Sequence, residues 1–154
     1  MRIIGIDPGL ANVGITVIDT EQPLGERTLH VECYTTDSTH HEAVRVSYTV
    51  KYLAHIIRHY RITHLAIEQF YSRRVTQRYI AALIVCVEMM CHELKIPYTL
   101  VNPQRVKSYK AEHHKAIGEI QERNRLTMHE IDATCVAEIA LVEMEAKRLG
   151  LMKE

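Results

Sequence analysis

The sequence predicts an α/β fold in which a mixed five-stranded sheet is flanked by helices. Three observations carry that expectation. Short apolar runs open the chain and recur at residues 64–68 and 96–101; amphipathic helical periodicities lie between and after them; and a capped helix closes the chain. At 154 residues the chain is long enough for one domain with a sizeable core and short for two, so a single domain over residues 1–154 is expected.

Ile3-Ile4-Gly5-Ile6-Asp7-Pro8-Gly9 reads as a central strand closed by a turn. Pro8 restricts Asp7 to extended geometry and Gly9 permits the tight turn. A charge at such a strand end costs several kcal/mol unless paired or metal-bound, so Asp7 needs either an Asx-turn or a cation. Val13–Ile18 alternates and should pair antiparallel with the first strand, and Thr28–Tyr34 should add a third strand to this meander. From His41 to Arg61 the apolar positions Val46, Val50, Leu53, Ile57 and Tyr60 recur at helical spacing. His64-Leu65-Ala66-Ile67-Glu68 is another short apolar strand ending in an acid.

Val75–Leu94 reads as a helix apolar nearly all round, which requires burial on two sides. The sheet supplies one side, and a neighbouring helix or a second subunit the other; a homodimer is the favoured expectation. Ile96–Val101 is the fifth strand, closed by Asn102-Pro103, and a polar, basic helical stretch follows to Arg125. Thr127-Met128-His129-Glu130 matches a capping box, opening a helix that runs to about Leu149 and stops at Gly150. That N-cap places His129 and Asp132 on one face, where Asp132 also complements the helix dipole.

The 19 basic and 19 acidic residues cancel, so bulk charge alone does not indicate a nucleic-acid partner. Two local clusters are basic: Arg73, Arg74 and Arg78 after Glu68, and Arg105, Lys107, Lys110, Lys115, Arg123 and Arg125 beyond Asn102. Either is equally well a solvated helix face. The longest apolar run, Ile80–Val87, is far short of the roughly 20 residues that span a bilayer, and no amino-terminal signal peptide is visible. Cys33, Cys86, Cys91 and Cys135 show no C-x-x-C spacing, which points to buried thiols in a reducing compartment and away from structural zinc.

Asp7 and Glu68 end strands that can be neighbours, and Asp132 can enter from the last helix. Three such acids together would repel strongly, so the cluster makes sense chiefly as an oxygen-rich cradle for hard divalent cations. Two ions about 3.5–4 Å apart suit phosphodiester hydrolysis, and magnesium is the expected ion, with manganese as a substitute.

Ile4-Gly5-Ile6-Asp7-Pro8-Gly9, Leu65-Ala66-Ile67-Glu68-Gln69, Val106-Lys107 and His129-x-x-Asp132-Ala133 occur in an order and spacing that resembles the RuvC-type Holliday junction resolvases of the ribonuclease H-like superfamily. The resemblance extends over essentially the whole chain. It implies a homodimeric, magnesium-dependent endonuclease that nicks opposed strands of four-way DNA junctions, in the cytoplasm of a bacterial or phage-infected cell. It further implies that Asp7, Glu68 and Asp132 bind metal. The family commonly has an Asp-x-x-Asp pair on the last helix; here His129 takes the first place, where it could ligate an ion, take a proton from water, or merely order the helix start.

The resemblance also implies an aromatic side chain at the DNA shortly after the Glu68 strand, with Tyr71 in the closer register and Phe70 beside it. Lys107 matches a family lysine that contacts DNA or offsets transition-state charge, and Lys110 or Lys115 fills a second such place. Arg73, Arg74 and Arg78 would steer the DNA backbone. Divergence over residues 19–60 and 108–126 suits a phage-encoded or distant member acting on three-way junctions and forks as well as Holliday junctions. Two other readings remain: a non-catalytic branched-DNA binder, and a nucleotide-binding protein of the actin-like type.

Overall fold

The computed structural model describes residues 1–23, 26–70 and 77–152. Strands β1 (Arg2–Asp7), β2 (Asn12–Asp19) and β3 (Thr28–Thr35) form the antiparallel meander. Helix α1 (Glu42–Tyr60), strand β4 (His64–Glu68), helix α2 (Arg78–Leu94) and strand β5 (Tyr98–Val101) follow. Helices α3 (Pro103–Glu112), α4 (His114–Asn124) and α5 (Met128–Arg148) complete the order. The five strands lie as β3-β2-β1-β4-β5, with β4 parallel to β1 and β5 parallel to β4.

Two boundaries differ from expectation for local reasons. Strand β5 begins at Tyr98 because Pro97 has no amide hydrogen to give the ladder, although its carbonyl still accepts from Leu65 N at 3.0 Å. The basic stretch after Asn102 is two helices, since His113 leaves helical geometry at φ −111° and ψ 20°. The expected start of α2 at Val75 lies outside the described residues.

Strand β1 is central and buried on both faces, which is why it reads as a continuous apolar run. Ile4 and Ile6 join Val13, Ile15, Leu65 and Ile67 in the core beneath α1 and α2. Ile3, Ile18, Ala66 and Val101 face the other way, into a second core covered by α5 and α3. All four thiols are free, but only Cys91 and Cys135 are buried; Cys33 and Cys86 are half-buried.

Helix α2 covers only one of its two apolar sides. Leu83, Ile84, Val87 and Cys91 are buried, whereas Val85 and Met89 are 52% and 58% exposed. A shallow groove between α1 and α2 is lined by Val50, Ala54, Cys86, Met89 and Leu94. Among the described residues, no helix is long and apolar enough to cross a membrane.

Candidate active site

Side chains alternate along a strand, so Asp7 and Glu68 share the face that already carries Ile3, Gly5 and Ala66. Ile6 pairs with Ile67, which makes Asp7 and Glu68 the next residues in register at the carboxyl ends of two parallel strands. Ligands of open α/β sheets bind at such ends. The third acid arrives on α5, whose start is held by a complete capping box: Thr127 Oγ1 accepts from Glu130 N at 3.4 Å and Glu130 Oε2 accepts from Thr127 N at 2.6 Å.

Helix α5 lies directly on the sheet because small residues line the contact. A Cβ at Gly14 would stand 2.0 Å from the carbonyl oxygen of His129, and one at Gly5 would stand 2.2 Å from that of Ala133. Ala66 completes this small-residue floor, and Ala137 meets it from the helix. The close approach carries His129 and Asp132 to Asp7 and Glu68.

Asp7, Glu68, His129 and Asp132 therefore line one open cleft, together with Pro8, Gln69, Phe70, Asn102, Pro103, Gln104 and Met128. The His129 ring donates from Nδ1 to Asp7 Oδ2 at 2.6 Å, and Lys110 Nζ donates to Asp132 Oδ1 at 2.6 Å. Burial pushes the Asp7 carboxyl above its ordinary range and the Asp132 charge adds to the rise, against the pull of His129. Burial, then the charges of Asp7 and Asp132, push Glu68 up to about 7. The hydrogen bond between the two carboxyl groups raises Glu68 further and lowers Asp7.

The basic and aromatic residues singled out in the sequence separate on folding. Phe70 borders the cleft and also packs against the core beneath α1 and α2. Lys110 reaches the acids, whereas Lys107 and Lys115 are exposed. Arg78 stacks over Tyr79 at 4.7 Å and donates to its hydroxyl at 3.0 Å. Tyr71, Arg73 and Arg74 lie outside the described residues. Asn102 and Gln104 in the cleft escaped the sequence reading; the helix start at Asn102-Pro103 was their signal, since Asn102 Oδ1 caps α3 by accepting from Gln104 N at 2.8 Å. The amino terminus of α3 thus opens on the cleft and adds positive potential there.

Among the described residues, no group of three His, Cys, Asp or Glu side chains is placed as it stands to hold a metal ion. Asp7 instead pairs with His129, and Asp132 with Lys110. The donor set nevertheless fits a hard divalent cation: three carboxylates line one cleft, where burial first and their mutual charge second raise both Asp7 and Glu68.

A mixed five-stranded sheet with acids ending two adjacent parallel strands, and a third on the helix crossing them, defines the ribonuclease H-like class of nucleases. A family model described as "Crossover junction endodeoxyribonuclease RuvC" matches residues 3–116. A protein of that name from Synechococcus sp. (strain CC9902) is 33% identical over 108 residues, 70% of this chain and 70% of its own. One from Thermomicrobium roseum is 30% identical over 135 residues, 83% of this chain and 79% of its own. The chain belongs to the RuvC family of crossover junction endodeoxyribonucleases, which are metal-dependent nucleases. Solved structures show the same fold: Thermus thermophilus RuvC in complex with a Holliday junction substrate superposes with a TM-score of 0.75 at 22% identity, covering 97% of this chain and 96% of that one. The fowlpox virus resolvase with Holliday junction DNA gives 0.62 at 12% identity, over 94% of this chain and 99% of that one.

Proposed function

We propose that this chain acts as a homodimeric, magnesium-dependent endonuclease, one nuclease domain per protomer, nicking opposed strands of Holliday junctions and other branched DNA. The observation that carries the proposal is the convergence of Asp7, Glu68 and Asp132 in one open cleft on a RuvC-family sheet. Asp7, Glu68 and Asp132, with His129 beside them, would hold the ion, manganese being an acceptable substitute. When bound, a divalent cation supplies a Lewis acid that activates water and offsets charge on the phosphate.

The protein's own groups do the rest. His129 commits Nδ1 to Asp7, so Nε2 is the nitrogen left to take a proton from water. Lys107 on α3 offers positive charge to the phosphate backbone, joined by Arg78 and Lys115 and by Arg73 and Arg74. Phe70 at the cleft, with Tyr71 next in sequence, suits stacking on a base unpaired at a junction centre, worth roughly 1–3 kcal/mol per base. The four free thiols suit a bacterial or phage-infected cytoplasm.

The direct test incubates the protein with labelled four-way, three-way and linear DNA in magnesium, beside Asp132→Asn. That residue is chosen because it lies beyond the part matched by the family model. Paired nicks are expected in the branched substrates alone, and Asp132→Asn should slow cleavage roughly 10²- to 10⁴-fold, the equivalent of several kcal/mol of lost charge stabilisation. Linear duplex cut as fast as a junction would overturn the assignment.

The uncovered side of α2 suits the second subunit. Val85, Met89 and the groove beside them form an apolar surface on the helix that the sequence expects to be buried twice. Placing a carboxylate there should cost several kcal/mol of association. Met89→Glu is therefore expected to run as a monomer in sedimentation and to lose the coupling of paired nicks while keeping its fold. A dimer in Met89→Glu would move the interface elsewhere.

A further inference from the structure

Among the buried residues of α1, Arg45 is the one that carries a full charge; it is 9% exposed and sits one turn past the His41 cap. Its guanidinium turns one edge to the connection between β1 and β2. Nε donates to Thr36 Oγ1 at 2.8 Å, and Nη2 donates to the Leu10 carbonyl at 3.2 Å. The Thr36 hydroxyl closes the triangle by donating to the same Leu10 carbonyl at 2.6 Å, and Thr36 N donates to the Ala11 carbonyl at 2.9 Å. Among the described residues, neither acceptor of Arg45 is a carboxylate. A charge taken out of water without a counter-ion is costly, and an apolar side chain carries no such cost. What arginine adds there is a rigid fork of parallel N–H donors.

The connection held in this way meets the acid cleft at both of its ends. Asp7 is the last residue of β1, and Gly14, its partner across the ladder, lies under the His129 carbonyl. Pro8, next after Asp7, lines the cleft itself. The residues between fold back closely, since a Cβ at Gly9 would stand 2.1 Å from the carbonyl oxygen of Asn12. A displacement at Leu10 therefore passes to Asp7 along a short, tightly folded segment, and small misplacements of catalytic groups are costly.

We propose that Arg45 is a positioning residue for the cleft: its fork on Leu10 and Thr36 fixes the connection between β1 and β2, and with it the placement of the Asp7 carboxyl beside Glu68 and Asp132. This rests on the reading of those three acids as metal ligands. Arg45 acts from behind the connection, as the outer partners of a metal ligand do when they orient it.

The test measures Mn²⁺ affinity by electron paramagnetic resonance and hydrogen exchange of the Leu10–Asn12 amides, in the full-length protein without DNA, for wild type, Arg45→Lys and Thr36→Val. Lysine keeps the charge and loses the fork; valine keeps the shape of Thr36 and removes the hydroxyl that the fork grips. Both variants should bind Mn²⁺ roughly tenfold more weakly than wild type. Their Leu10–Asn12 amides should exchange faster, and junction cleavage should recover as magnesium is raised. A merely structural role would lower the melting temperature of Arg45→Lys and leave the Mn²⁺ affinity of its folded fraction at the wild-type value, and that result would overturn the proposal. Thr36→Val decides the matter if Arg45→Lys fails to fold, since wild-type affinity there overturns the proposal equally. Wild type binding no Mn²⁺ at all would overturn the metal reading beneath it, a different result from unchanged affinity in the variants.

Discussion

Glu68→Gln should abolish junction cleavage and at the same time make the metal-free protein more stable above neutral pH. Both effects come from one carboxyl group. Burial and the charges of Asp7 and Asp132 push it up to about 7 in the folded chain, against an ordinary value of 4.5. Between those two values the folded protein holds a proton that the unfolded chain has released, so stability falls as pH rises. The favourable contribution is complete below about 4.5 and is lost as pH climbs through about 7. Glutamine stays neutral throughout and retains an amide that can donate to Asp7 as protonated Glu68 does. In chelator, the melting temperature of Glu68→Gln should match wild type near pH 5 and exceed it by a few degrees at pH 8.

Magnesium should reverse that ranking. A ligand that binds only the folded state stabilises it by RT ln(1 + [L]/Kd), so saturating metal raises the wild-type melting temperature and leaves the variant nearly unmoved. Cleavage by the variant should fall roughly 10²- to 10⁴-fold, the equivalent of several kcal/mol. Equal melting temperatures at pH 8 in chelator would show that Glu68 is not under the strain its surroundings imply. Strain of this kind is expected where a site is built to be completed by a cation from outside.

The places where sequence reading succeeded and failed follow the range of the forces involved. Strand ends at Asp7 and Glu68 were legible because an apolar run stopping at an acid is a local pattern. The start of α5 was legible because Thr127 and Glu130 cap each other across one turn. Strand alternation then sufficed to put Asp7 and Glu68 on one face. The break between α3 and α4 was not legible, since no Gly or Pro marks it and His113 leaves helical geometry without a sequence signal of its own. Nor was the choice among Lys107, Lys110 and Lys115, although counting four residues from Val106 points to Lys110. The apolar periodicity of α2 called for cover on two sides, and in the chain its outward side, with Val85 and Met89, stands exposed. The contact of α5 with Gly5 and Gly14 was out of reach, since it joins residues more than a hundred positions apart with no polar signature.

That glycine floor sets the second large effect. Gly14→Ala should cost roughly 1–3 kcal/mol of stability as an overpacked contact and slow cleavage about 100-fold, the scale expected for displacing catalytic groups by about 1 Å. The new Cβ would stand 2.0 Å from the backbone oxygen of His129, and a helix backbone has no rotamer with which to move aside. The capping box leaves α5 only the option of lifting as a unit from the sheet at its amino-terminal end. His129 and Asp132 would move together, and the 2.6 Å contact of His129 with Asp7 would open. Gly118→Ala supplies the contrast within the same chain: nothing lies within 4 Å of its Cβ position in α4, so alanine should stabilise by about 1 kcal/mol through helix propensity alone. Thermal melts and single-turnover cleavage of both variants distinguish close packing from glycine chemistry in general. Gly14→Ala cutting at the wild-type rate would mean that the position of α5 on the sheet does not set the geometry of the site.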